Sequence, residues 1–183
     1  SDSSLTLFSG TSAAAPFVTG TLAALMSAPE LLDAQSALKI LKENLNDAGQ
    51  AGEDALYGAG IVDWERIRER DTDDVLDLAV AGLFLDSDAL PGTTMPVEIT
   101  VQNRGTTWIN EAELESHVEG MESIIHTIGA LGPGQITSRQ VFIQIPPEYA
   151  DQGLRLAARV LTEDVEQDVR LENNVKLVEF RPR

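Results

Sequence analysis

The sequence of 183 residues contains no cysteine and only two histidines. The chain therefore has no disulfide, no thiolate metal ligand and no cysteine nucleophile, and the shortage of histidine argues against a multi-histidine metal centre. Basic residues are also few: 13 Lys and Arg stand against 30 Asp and Glu, a formal charge of −17. A field of this sign repels phosphate backbones, so we expect no nucleic-acid partner. No run of about 18 apolar residues occurs, so we expect no membrane span.

Hydrophobic residues make up 43% of the chain, enough for a core, and their spacing changes near residue 71. Before it they recur at helical spacing, and we predict helices over residues 12–28, 33–44 and 63–70, the last two capped by Asp33 and Asp63. The first helix is rich in small residues and almost uncharged, which is typical of a helix buried on all sides. The short elements after it are too few to cover it. We therefore expect this chain to be an internal piece of a longer product, with an upstream part missing.

Local details refine these helices. Pro16 lies close enough to the start of the first helix to be tolerated in its first turn. The second helix is expected to turn an apolar side inward, and a glycine-rich segment over residues 57–62 precedes a short extended run. That apolar side comprises Leu38, Ile40, Leu41 and Leu45.

A serine stands where the first helix begins, in the segment Gly10-Thr11-Ser12-Ala13-Ala14-Ala15-Pro16-Phe17-Val18-Thr19-Gly20. Gly10 allows a tight turn, and the free N–H groups and the positive end of the helix dipole then surround the Ser12 hydroxyl. This segment resembles the serine signature of the subtilisin-like proteases, the subtilase family. Residues 57–63 resemble the segment that closes that catalytic domain, so the resemblance covers residues 1 to about 70. Phe17 replaces a histidine found in many members, at a position outside the catalytic triad.

The resemblance implies a role for Ser12. Its Oγ would be the nucleophile of a serine endopeptidase, and its backbone N–H would be one oxyanion donor. Gly10, Thr11 and Pro16 would shape the site. In subtilisin the triad aspartate and histidine precede the serine along the chain, so both would belong to the missing upstream part. We expect the intact parent to be the enzyme and this chain alone to be inactive. The alternatives for Ser12 are a small turn residue or the serine of a pseudoprotease.

Neither histidine of the chain has the context of the triad base, which in this family is followed by Gly-Thr. His117 alternates with Glu113, Glu115 and Glu119, which predicts a solvated strand face. His126 lies in a strand-like run and is expected to be a structural histidine with its hydrogen bonds satisfied.

The second half reads as β structure after a charged linker at residues 70–74. Strand-like runs cover residues 77–85, 95–103, 113–119, 124–131, 136–145, 154–161 and 175–180. Seven short strands without a convincing helix suggest an immunoglobulin-like sandwich. Residues 77–181 also resemble the bacterial cell-adhesion-related domain, CARDB, through a set of short motifs. These are Asp77-Leu78, Pro91-Gly92, Val101-Gln102-Asn103-Arg104-Gly105, Leu131-Gly132-Pro133-Gly134 and Glu172-Asn173-Asn174.

Two other features have competing interpretations. The acidic residues Asp71, Asp73, Asp74 and Asp77 would fit a calcium loop only loosely, since the spacing lacks the glycine and terminal glutamate of an EF-hand, and a solvated linker is the simpler interpretation. The tryptophans would either bind a ligand or pack. For packing, Trp64 is expected to anchor a core or an interdomain contact, and Trp108 to lie in a loop.

The sequence thus predicts an α/β remnant, the mostly helical C-terminal end of a subtilisin-like parallel-sheet domain, followed by an all-β seven-stranded immunoglobulin-like sandwich. The predicted domains are the catalytic segment 1–70, a linker 71–76 and a CARDB-like domain 77–183. The expected partners are a protein or peptide substrate and the missing part of the catalytic domain, in a secreted or cell-surface protein. The resemblance allows structural calcium, but no ligand and no cofactor is assigned. The rival hypothesis is a non-catalytic surface or adhesion protein whose sandwich is the working module.

Overall fold

A computed structural model describes residues 9–28, 32–85, 90–149 and 153–182 of the chain. The first eight residues of the predicted catalytic segment lie outside the described residues. The described part is mainly β-sheet with few helices.

The first part of the chain is helical and includes a small β ribbon. Its elements are α1 (Thr11–Met26), α2 (Ala34–Glu43), β1 (Leu45–Asn46), β2 (Ile61–Val62) and α3 (Trp64–Glu69). The two predicted caps are confirmed: Asp33 accepts a hydrogen bond from the Ser36 N–H, and Asp63 from those of Glu65 and Arg66. The ribbon is antiparallel.

Helix packing in this part differs from the prediction at one position. Ala37 and Leu41 of α2 are buried against Leu25 of α1 and Ile67 of α3. Leu38, predicted to belong to the apolar side, is 42% exposed. The buried pair is four residues apart and forms one stripe, whereas Leu38 lies about 100° further around the helix.

The second part consists of two antiparallel sheets that share one hydrophobic core. One sheet has the order β3-β4-β7 and the other β6-β5-β8-β9 within the described residues. The strands are β3 (Leu78–Leu85), β4 (Thr94–Asn103), β5 (Glu113–Val118), β6 (Ile124–Thr127), β7 (Ile136–Gln144), β8 (Leu154–Leu161) and β9 (Val175–Phe180). In β8, inward residues at every second position are buried, as period-2 patterning requires.

The predicted strand runs coincide with these strands to within a residue, except for one. The run over residues 124–131 is a strand only to Thr127. Beyond it, Gly129 has a positive φ of 91° and Leu131 forms an isolated bridge with Ile109. This loop is still apolar because Ile128 and Leu131 point into the core. The sequence pattern alone does not distinguish such a buried loop from a strand.

The segment that follows α2 lies directly on the β3–β4 sheet. Thr100 Oγ1 donates to the Gly49 carbonyl at 3.1 Å, and the Gln102 side chain accepts from the Asp47 N–H at 2.9 Å and donates to the Leu45 carbonyl at 3.1 Å. A Cβ atom on Gly82 would lie 1.8 Å from the Gly49 carbonyl oxygen. Only glycine therefore permits this approach of one backbone to the other.

A second connection joins α3 to the loop before β9. Arg170 bonds to Asp77 Oδ2 at 2.6 Å through Nη1, and through Nη2 to Glu69 at 2.8 Å and Glu65 at 3.5 Å. Asn173 donates to the other oxygen of Asp77 at 2.9 Å. The Asp77 side chain is only 1% exposed, so its charge is neutralised by Arg170 within the protein.

Candidate active site

Ser12 lies in the first turn of α1. Gly10 is the N-cap with φ 131° and ψ 171°, a conformation that favours glycine, and its carbonyl accepts from the N–H groups of Ala13 and Ala14 at 2.9 and 3.2 Å. Within the described residues the N–H groups of Thr11 and Ser12 have no acceptor, as expected for a helix start. The exposed Ser12 hydroxyl therefore stands at the positive end of a 16-residue helix, beside two N–H groups that no described residue accepts from.

Pro16 lies deeper in α1 than predicted. The helix begins at Thr11, so Pro16 is in its second turn rather than its first. Because proline has no N–H, the carbonyl of Ser12, four residues earlier, receives no intrahelical hydrogen bond from this position. Pro16 and Phe17 instead contribute to an exposed apolar hollow.

That hollow lies along the uncovered face of α1. Pro16, Phe17, Gly20 and Ala24 line it together with Trp64, and its volume is about 330 Å³. Phe17 is 57% exposed and Trp64 is 43% exposed, while Thr21 and Leu25 are the residues of α1 that are buried. Trp64 thus lies beside α1 at the surface. Of its two predicted packing roles, the core anchor is wrong, and the interdomain contact stays a prediction. Most of α1 is exposed in this chain, and its burial by an upstream part stays a prediction.

Neither histidine serves Ser12 as a base in the described structure. His117 is on the outer side of β5, with Nδ1 3.4 Å from Ser123 Oγ. His126 on β6 pairs with Leu114, whose side chain is in the core. Its Nε2 is buried and has no hydrogen-bond partner among the described residues, so the expectation of a satisfied histidine is wrong at this atom. The register explains this, because the ring faces the apolar side of the sheet.

The predicted acidic run does not form a metal site. Asp71, Asp73 and Asp74 are exposed, and both oxygens of Asp77 are occupied by Arg170 and Asn173. Across the described ranges, no three Asp, Glu or His residues are grouped as metal ligands would be. Trp108 lies in the loop between β4 and β5, as predicted, and is 59% exposed.

Asp47 is a buried carboxylate that the sequence pattern does not single out. It is 1% exposed; Oδ1 accepts from the Gly52 N–H at 3.0 Å, and no described residue donates to Oδ2. Burial raises its pKa above the ordinary 3.8, and the charge of Asp54 adds to this, against the lowering effects of the Gly52 N–H and Arg104.

Replacing Asp47 by asparagine is expected to change the pH dependence of stability. The pKa of Asp47 is higher in the folded protein than in the unfolded chain. Ionisation of Asp47 therefore lowers the free energy of unfolding as the pH rises from about 3.8 through the raised pKa. The unfolding free energy of the wild type minus that of Asp47→Asn should therefore fall over this range in urea titrations. Asp54→Asn is the control: the Tyr57 N–H lowers the pKa of exposed Asp54, so the corresponding difference should rise with pH. Equal slopes for the two variants would contradict this.

Residues 1–60 match the model of the Subtilase family, Peptidase_S8. The predicted resemblance of this segment to the subtilases is confirmed by that match. Among curated proteins, none matches the chain.

Solved structures similar to this chain include domains of the class that residues 77–181 resemble. One is the crystal structure of a CARDB domain from Pyrococcus furiosus in complex with di-metal ions, with 16% identity over 60% of this chain and 90% of that chain and a TM-score of 0.49. The solution NMR structure of the same domain shows 19% identity over 59% of this chain and 95% of that chain, also at 0.49. A Paenibacillus cycloisomaltooligosaccharide glucanotransferase shows 14% identity over 59% of this chain and 14% of that chain, with a TM-score of 0.44.

Among the described helices, none is long and apolar enough to cross a membrane.

Proposed function

We propose that this chain supplies the nucleophile-bearing end of a subtilisin-like serine endopeptidase, with Ser12 as the nucleophile. The observation that supports this most directly is the position of Ser12, an exposed hydroxyl in the first turn of α1, within a segment that matches the subtilase family. In this proposal the division of the chain is 1–70 for the catalytic segment, 71–76 for the linker and 77–183 for the sandwich. The location is secreted or at the cell surface.

The chemistry would be acyl transfer. Ser12 Oγ attacks the scissile carbonyl, a histidine takes the hydroxyl proton, and an aspartate orients that histidine. The negative charge that develops on the carbonyl oxygen is stabilised by the Ser12 N–H, which lacks an acceptor among the described residues. The histidine then protonates the leaving amine, and water hydrolyses the acyl-enzyme. Both partner residues would come from the upstream part of the catalytic domain.

The uncovered face of α1 supports the same proposal. α1 has 16 mostly small and apolar residues, of which Thr21 and Leu25 are buried. The apolar surface that the other residues expose to water is energetically unfavourable. The upstream part of a subtilase domain would cover Phe17, Trp64 and the hollow between them and remove this surface from solvent.

A fluorophosphonate probe followed by intact-mass measurement tests this proposal. In the parent protein that carries the upstream part, we expect one adduct, mapped to Ser12, and no adduct in Ser12→Ala. Ser27→Ala removes another hydroxyl of the same region, bonded to the Ala23 carbonyl, and should leave labelling intact. This chain alone should not react, because no base is bonded to Ser12 in the part of the chain that the structure describes. An unlabelled wild-type parent would reject the enzyme and favour the non-catalytic surface protein.

Replacing Gly20 by alanine distinguishes a covered α1 from an exposed one. A Cβ at Gly20 meets nothing within 4 Å, so in this chain the substitution should add about 1 kcal/mol of stability through helix propensity. In the parent, neighbours packed on this face would clash with the added methyl group, and stability should fall by about 1–3 kcal/mol. Gly153→Ala, also in open space but outside α1, is the control and should behave alike in both proteins. Equal gains from Gly20→Ala in chain and parent would mean that α1 stays uncovered.

A further inference from the structure

Two arginines share a cleft between the helical part and the sandwich. The cleft has a volume of about 420 Å³ and is bordered by α2, α3, the loop after β4 and the loop before β7. Arg66 of α3 and Arg104 of the loop after β4 both line it. Arg66 is only 5% exposed.

The hydrogen bonds of both guanidinium groups go to neutral acceptors. Arg66 donates to the Leu45 carbonyl and, at 3.4 Å, to the Asn46 side-chain oxygen. Arg104 donates to Gln102 Oε1 and to the backbone carbonyl of Asp47, both at 3.1 Å. No carboxylate in the described part of the chain lies within ion-pair distance of either group.

The carboxylates that line the cleft are already paired with other cations. Glu43 pairs with Lys39 at 3.7 Å, Asp71 with Arg70 at 3.1 Å and Glu69 with Arg170 at 2.8 Å. Arg66 and Arg104 are therefore guanidinium groups of the cleft that, among the described residues, have no carboxylate within ion-pair distance. Asp63 and Asp77 act on both arginines from further away, and Asp47 acts on Arg104.

The electrostatic cost of this arrangement is visible in Arg66. Burial, and after it the nearby charge of Arg104, lower the pKa of Arg66 to about 10, against the raising effects of Asp77 and Asp63. A buried cation without an ionic partner is costly, and a bound anion would offset that cost.

Free donors remain for such an anion. Arg66 Nη2 and Arg104 Nη1 have no acceptor among the described residues, and neither is among the polar atoms sealed from solvent. The planar guanidinium fork matches the oxygen spacing of carboxylate, phosphate and sulfate. We infer that the cleft between Arg66 and Arg104 is a binding site for a small oxyanion that bridges the helical part and the sandwich. This inference does not depend on Ser12 being a nucleophile.

Calorimetric titration of the chain with inorganic phosphate at constant ionic strength, with chloride as the reference anion, tests the site. We expect saturable one-to-one binding of phosphate, weakened about tenfold or more in Arg104→Gln, because that change removes a charge and its fork. Arg68→Gln, an exposed position on the same helix α3, makes the same charge change outside the cleft and should bind like the wild type. Titrations with acetate, with a tripeptide that has a free C-terminal carboxylate, and with the same tripeptide amidated at its C-terminus then distinguish an inorganic ion from a peptide carboxyl group as the occupant.

The outcomes separate clearly. The proposal would be overturned if the heat of binding for phosphate were no larger than that for chloride. It would also be overturned if Arg104→Gln and Arg68→Gln weakened phosphate binding equally. If Arg104→Gln does not fold, Arg104→Lys replaces it: this variant keeps the charge but loses the planar fork and should still bind phosphate several-fold more weakly. Unchanged affinity in Arg104→Lys would also overturn the proposal.

Discussion

Under the proposed function, alanine at position 12 is expected to lower the kcat of the parent protein by about 10⁶-fold, which is the loss that removal of the catalytic serine causes in subtilisin. The reason is that the remaining oxyanion donors and substrate contacts cannot replace an acyl-enzyme. The Ser12 side chain is exposed and makes no hydrogen bond among the described residues, so its removal should leave the fold unchanged. The check is steady-state hydrolysis of a peptide substrate by the parent protein, with the circular dichroism spectrum compared in parallel.

The control for this experiment is Ser27→Ala, which alters a hydroxyl at the other end of α1 and should retain wild-type kcat. A Ser12→Ala parent with activity within about tenfold of the wild type would assign catalysis to another group, and Ser12 would then be a turn residue.

Alanine at position 170 is expected to destabilise the chain by about 3–5 kcal/mol, because it leaves a buried carboxylate without its cation. Asp77 is 1% exposed and, within the described ranges, would retain only the hydrogen bond from Asn173, while Glu69 and Glu65 would lose the positive charge between them. The measurement is the free energy of unfolding from urea titration.

The chain offers a matched control in Arg155. It forms an ion pair with Glu179 at 2.9 Å, but both side chains are more than half exposed, at 63% and 73%. Exposed pairs of this kind contribute about 0–1 kcal/mol, so Arg155→Ala should cost little. Similar losses for the two variants would mean that burial does not set the strength of the Arg170–Asp77 pair.

Local features were predictable from the sequence. The Asp33 and Asp63 caps depend on residues three or fewer positions away, and the alternation in β8 directly reports which side chains face the core. The turn that presents Ser12 was predictable for the same reason, since Gly10 and the start of the helix are adjacent in sequence.

Features that depend on distant partners were not predictable. Arg170 and Asp77 are 93 residues apart, and nothing around either one indicates the pairing. The buried state of Asp47 results from the sheet that lies against it, so the acid appears in the sequence as an ordinary loop residue. The error at His126 has the same origin, because alternation predicts a face but not whether an acceptor is present there. The partners of Ser12 could not be found either, since neither histidine contacts it.

The close approach of Gly49 to Gly82 limits which sandwich domains could be joined to this helical part. The Thr100, Gln102 and Arg104 side chains bond to the backbone of the segment that follows α2, and the missing side chain at Gly82 provides the room for it. A sandwich from another protein, with any larger residue at this position, would be held away from the helical part and would leave those backbone groups unpaired. The helical part and the sandwich are therefore structurally matched to each other and are not interchangeable domains joined by a flexible linker.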